Sequence, residues 1–194
     1  MSKVARRPLS ALLVLSAILL LALGLRLYRL DAQSLWNDEG TSVALAQRDL
    51  PTITRNAAGD IHPPLYYYLL HLWIRLAGQG EFAVRSLSVL TGVALAGGAY
   101  LLGRRLFGTP TAILASLVSA LSPFQIYYSQ EARMYVFVSL FGLLSMIAYE
   151  RLLSRGAFAR EEHTRWGLGL RVGAYVLTSL LTIYSQYFGL TLLL

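Results

Sequence analysis

Three long uncharged stretches constrain this chain more than anything else in it: Pro8 to Leu25, Leu106 to Gln130 and Val172 to Leu194 contain no Asp, Glu, Lys or Arg. Each approaches or exceeds the ~18 apolar residues that let a helix cross a bilayer. One such helix is an anchor, but several demand a bundle. The remaining composition agrees, with 56% hydrophobic and only 14% charged residues, well below the roughly 25% charged of a soluble domain. The expected fold class is all-α, a polytopic transmembrane helix bundle. With no cysteine in the chain, disulfides and thiolate metal sites are excluded.

The basic start, Lys3, Arg6 and Arg7, is followed by an apolar run that is too long for a secretory leader. It reaches Arg26 without a small-x-small cleavage site, which marks an uncleaved first helix. Spans are expected at about 9–27, 82–103, 111–129, 134–150 and 170–185. At 187–194 the chain either continues the last helix or starts a sixth. Because the chain stops inside an apolar run, residues 1–194 read as the N-terminal part of a single larger membrane module.

Clustered Lys and Arg favour the cytoplasm, which places the N-terminus inside and residues 31–81 in a large outer loop. Pro51 suggests a break between short helices in that loop. Leu65 to Ile74 gives only ten uninterrupted apolar or aromatic residues, too short to cross. Leu65, Leu69, Leu72 and Leu76 form one stripe, with Tyr67, Tyr68, His71 and Arg75 broadly opposite, the pattern of an amphipathic juxtamembrane helix. Charge tests this topology. Ten of the 17 basic residues and three of the ten acids fall on the inner segments, leaving seven of each outside, so the whole net charge of +7 lies inside. The high pI therefore reflects membrane orientation in a plasma or inner membrane, and nucleic acid need not be invoked as a partner. Gly92, Gly97, Gly98, Ser116, Ser119 and Ser145 are expected to let helices approach closely.

Several polar groups gather on the outer side. Asp38 and Glu39 are adjacent acids just beyond the first span. They suit an N-cap and first turn, or a general base with its orienting partner. His62, in Asp60-Ile-His-Pro-Pro64, sits at a rigid helix start, where it can donate to phosphate or ligate a metal; Asp60 is a turn residue or a cation ligand. Glu131 and Arg133 lie where a span reaches the interface and form a natural ion pair. Arg85 stands about one turn inside an otherwise uncharged span, where the cost of burying charge points to function, and an anionic group such as phosphate suits it. Phe124, Tyr127, Tyr128 and Tyr135 read as an interface belt.

In this order the residues resemble the C-type membrane glycosyltransferases that use lipid-phosphate sugars, a group including protein O-mannosyltransferases and lipid A aminoarabinose transferases. The likeness covers nearly the whole chain. It rests on the Asp38-Glu39 pair in the first outer loop, the Asp60-x-His-Pro-Pro-Leu65 start of a juxtamembrane helix, Arg85 heading the next span and Glu131 ending the following one. The resemblance implies that Asp38, or Glu39 beside it, is the catalytic base and Glu131 the second acid. It places His62 and Arg85 at the donor phosphate, with Arg133 beside them. Two departures stand out: Glu131 replaces the commoner Asp, and Ala132-Arg133 the commoner Ala-Pro.

The implied reaction moves a sugar from a polyprenyl-phosphate donor to a lipid, glycan or protein acceptor at the outer face. It proceeds by direct inverting transfer, without a nucleotide. Asp38, Glu39, Asp60 and Glu131 offer hard oxygen ligands to a divalent metal ion, which their spacing neither requires nor excludes. The rival class is a transporter or channel with an acidic outer site. Against it, the acids cluster at one face rather than mid-membrane, and no inverted repeat is evident.

Overall fold

The computed structural model describes residues 3–153 and 165–193, and no strand occurs among them. In chain order the helices are α1 Lys3–Leu27, α2 Asn37–Ala46, α3 Leu50–Ala58, α4 Leu65–Ala77, α5 Glu81–Phe107, α6 Thr109–Leu121, α7 Pro123–Ser129, α8 Tyr135–Leu153 and α9 Arg165–Ser185, followed by a 3-10 turn at Tyr187–Leu192. Segments of α1, α5, α8 and α9 are long and apolar enough to cross a membrane. The protein is an all-α polytopic membrane bundle. Arg155 and Arg160, assigned from sequence to an inner basic loop, lie outside the described residues.

The segment expected to span at about 111–129 is made of two helices, α6 and α7, meeting at 59°. Pro123 is the cause. It has no N–H to give the carbonyl of Ser119 four residues earlier, and its ring clashes with that carbonyl in a continuous helix. The freed acceptors are met from α1. Arg26, fully buried, donates from Nη2 to the Ser119 carbonyl at 3.1 Å and from Nη1 to the Ala120 carbonyl at 3.2 Å. Its Nε reaches Ser129 Oγ at 3.2 Å. Gly92 of α5 lies against this junction, where a β-carbon would stand 2.2 Å from Ser129 Oγ and 2.8 Å from Arg26 Nε. Position 92 therefore calls for glycine, in line with the close-approach reading.

Around that junction α1, α5 and α6 pack through Ile18, Ala22, Ala96 and Ala120, while α8 and α9 are tied by a hydrogen bond between Ser145 and Ser179 at 2.9 Å. A second core joins α2, α3 and α4 to the starts of α5 and α8 through Val43, Ile53, Tyr66, Leu70, Val84 and Phe137. Only half of the apolar stripe of α4 is exposed, and Leu69 packs against the core. Leu72 and Leu76 are 56% and 73% exposed, whereas Tyr66, Tyr67, Leu70, His71 and Ile74 are buried. The His71 ring Nδ1 lies 2.7 Å from the carbonyl of Ala46, at the end of α2, while Tyr66 packs edge-on to Phe137 with its hydroxyl unpaired among the described residues. Leu72 and Leu76 are thus left to face outward, as befits a helix bedded in lipid. After α9 the helix neither continues nor restarts as an α-helix, because extended Gln186 precedes the 3-10 turn.

Candidate active site

Both acids of the pair fall in the first turn of α2. Successive helical residues point about 100° apart, so adjacent carboxylates cannot share one environment. Glu39 points inward and is fully buried. Its Oε1 accepts from Arg85 Nε at 2.9 Å and from the Ala132 N–H at 2.8 Å; its Oε2 accepts from Arg85 Nη2 at 2.6 Å and from the Trp36 N–H at 3.3 Å. The last bond caps the helix, with Trp36 at the N-cap.

Arg85 has no donor to spare. Beyond Glu39, its Nη1 donates to the carbonyls of Leu30 and Gln33, both at 2.8 Å, and its Nη2 to that of Ser34 at 3.2 Å. These acceptors converge because the chain reverses after α1, with Arg29 in the left-handed region at φ 54°. That conformation is unfavourable for a non-glycine residue. The buried charge that looked anomalous in the sequence is therefore paired and fully hydrogen-bonded, the condition under which ionic groups tolerate burial.

Asp38 points the other way, with 41% of its side chain exposed, and its Oδ2 lies 3.5 Å from Arg133 Nη2. Arg133 is buried; its Nη1 donates at 3.3 Å to both the Asp38 carbonyl and Ser42 Oγ, and its guanidinium sits 5.6 Å from the Tyr135 ring centre. The Nε of Arg133 has no acceptor among the described residues. Tyr67 of α4 completes this side: burial pushes its phenol up, and the charges of Arg133, Asp60 and Asp38 all act on it. Asp60 in turn pairs with His62 Nδ1 at 3.3 Å and accepts the Ile61 N–H at 2.6 Å.

Glu131 lies on the Glu39 side, in a cleft of about 680 Å³ whose wall includes Trp36, Glu39, Arg85, Tyr127 and Gln130. Burial raises its carboxyl above the ordinary glutamate range; a hydrogen bond from Tyr127 opposes the shift and nearby Glu39 adds to it. Gln130 anchors the segment, donating to the carbonyls of Arg26 and Tyr28 at 3.1 and 3.0 Å. The polar groups around the pair therefore fall into two sets, with the charge of Arg133 reaching Glu131 as well as Asp38. One holds Asp38, Arg133, Tyr67, Asp60 and His62, and the other holds Glu131 and Tyr127 behind the closed Glu39–Arg85 pair.

No group of three or more His, Asp or Glu positioned to hold a metal ion occurs among the described residues. Asp60 is engaged with His62 and its own turn, and Glu39 with Arg85, so the side chains present do not fit a metal site supplied by protein alone. Sequence reading missed Tyr67, Tyr127 and the locking role of Arg26. Tyr127 carried a signal, standing four residues before Glu131; the signal for Arg26 was a remote Ser-Pro step.

Fold and site together define a multi-pass helical membrane protein with a charged, partly desolvated centre at one end of its bundle. Residues 61–190, about two-thirds of the chain, match the dolichyl-phosphate-mannose-protein mannosyltransferase family, and the chain belongs to that family. It is a membrane glycosyltransferase of the mannosyltransferase type. The match takes in His62, Arg85, Glu131 and Arg133, whereas Asp38 and Glu39 precede it. No curated protein and no solved structure matches the chain.

Proposed function

We propose that the protein transfers a sugar from a polyprenyl-phosphate donor to an acceptor hydroxyl or similar nucleophile at the outer membrane face, with inversion and with Asp38 as general base. The observation that carries this reading is the division of the acidic pair. Glu39 has four donors and no exposure, so it cannot take a proton from a substrate without breaking the buried pair. Asp38 keeps an accessible carboxylate, 41% exposed, backed by the buried guanidinium of Arg133.

In the proposed reaction Asp38 accepts the proton of the attacking hydroxyl as its oxygen bonds to the anomeric carbon. The bond from that carbon to the phosphate oxygen breaks, and its electron pair leaves with the lipid phosphate. A single displacement inverts the anomeric centre. Arg133 borders Asp38, and His62 pairs with Asp60; both suit the charge developing on the phosphate. Arg85 acts at one remove, holding Glu39 and thereby the first turn of α2. Glu131, kept more readily protonated than an ordinary carboxyl and bonded to Tyr127, lines the cleft as a polar wall for substrate. No step requires a nucleotide, and none is routed through a metal ion. The outer-face assignment rests on the clustering of basic residues at the opposite end.

The test supplies membranes containing the protein with radiolabelled polyprenyl-phosphate sugars and compares it with Asp38→Asn at matched expression. Donor consumption and an inverted product are expected only from the native protein. Undiminished transfer by the variant would move the base elsewhere, and consumption of no donor would sink the reading.

A further inference from the structure

A second polar site lies at the far end of the bundle. Arg85 and Arg105 are both on α5, near its first and last residues, and twenty residues of helix at 1.5 Å each separate them by about 30 Å. At the Arg105 end, α5, α8 and α9 leave a groove of about 630 Å³. Its rim carries Arg105, Arg151 and Arg171, and its wall is apolar, formed in part by Leu101, Ile147 and Leu170. Leu101 and Leu170 are 49% and 77% exposed. The one polar side chain on the wall, Thr178, spends its hydroxyl proton on helix carbonyls at Ala174 and Tyr175, so the lower groove makes no polar demand.

We propose that this groove binds an anionic glycerophospholipid, with the phosphate at the arginine rim and an acyl chain along the apolar wall. The three guanidiniums of the rim outnumber the described carboxylate paired there, Glu150, so the rim carries net positive charge that suits a phosphate diester. Two contacts preorganise the rim: Arg105 is held by an ion pair to Glu150, and Arg171 Nη1 donates to the Arg151 carbonyl at 3.3 Å. A soluble phosphate compound would leave the exposed leucines below the rim uncovered. Basic pockets between membrane helices at the end facing the anionic leaflet are a recurrent means of holding such headgroups. The site is independent of the transfer reaction and stands whether or not the donor assignment holds.

Native mass spectrometry of the detergent-solubilised protein, titrated with phosphatidylglycerol or phosphatidylcholine, tests this. The native protein should retain phosphatidylglycerol preferentially. Each arginine near an anionic headgroup contributes roughly five-fold in affinity, so Arg151→Gln with Arg171→Gln should weaken retention about 25-fold. An equal charge loss at the other end, Arg48→Gln with Arg55→Gln, should leave retention unchanged. Leu170→Trp, which fills the groove and keeps every charge, should also weaken it. Equal retention of the two lipids would overturn the proposal, as would indifference to Leu170→Trp or equal losses in both double variants. Displacement of the lipid by inorganic phosphate at millimolar concentration would overturn the acyl-chain part and leave a simple anion site.

Discussion

Replacing Glu39 by Gln separates structural from catalytic use of the acidic pair. Glutamine keeps the shape of the side chain, but one of its two terminal positions becomes an NH₂ donor. At the Oε1 position it would face Arg85 Nε and the Ala132 N–H; at Oε2 it would face Arg85 Nη2 and the Trp36 N–H. Either orientation sets a donor against two donors, and Arg85 is left as a buried cation with only carbonyl partners. Removing one member of a buried, hydrogen-bonded ion pair costs about 3–5 kcal/mol. Unfolding free energy in mixed detergent micelles should fall by that amount. Arg85→Gln combined with Glu39→Gln should recover part of the loss, because no uncompensated charge then remains. Asp38→Asn disturbs a longer, 3.5 Å pair in which only Asp38 is exposed, and should cost less than Glu39→Gln. A Glu39→Gln protein as stable as the native form but inactive would refute this division and return Glu39 to the chemistry.

Two further outcomes follow from the same geometry. Gly92→Ala forces a methyl group into the space of Ser129 Oγ and Arg26 Nε. Unfolding experiments should show a loss of about 1–3 kcal/mol, and a neutral effect would mean that the α1–α5–α7 junction is looser than described. Glu131 has its carboxyl raised by burial, so the folded state holds the proton more tightly than the unfolded chain. Stability from this group is fully present below the ordinary glutamate range and is lost as pH rises through that range to the raised value. Glu131→Gln should remove that component of the pH dependence, as measured by unfolding across mildly acid pH; an unchanged slope would mean another group is responsible.

Much of the architecture was legible because its cause is local. Uncharged runs of spanning length force helices wherever water is absent, and Pro51 marks the α2–α3 division from sequence alone. The chemical elements of the site were equally legible: Asp38, Glu39, His62, Arg85, Glu131 and Arg133 are ionisable groups at the edges of apolar segments, where charge is costly enough to need a reason. Their partners were not legible, because pairing joins positions far apart in sequence. Glu39 meets Arg85 and the Ala132 N–H across 46 and 93 residues. Arg26 meets the carbonyls freed at Pro123 across more than 90. Part of the face of α4 that packs inward also escaped periodicity, because Leu72 and Leu76 are left exposed while Tyr66 and His71 are buried, His71 on the Ala46 carbonyl and Tyr66 against Phe137.

The sequence by itself thus determined that this protein is a bundle of membrane helices with acids and arginines concentrated beyond their ends, since hydrophobicity and charge act residue by residue. Only the tertiary structure decided which of two neighbouring carboxylates is sealed and which remains open. A helical turn directs adjacent side chains about 100° apart, and what each then meets depends on the helices packed around it.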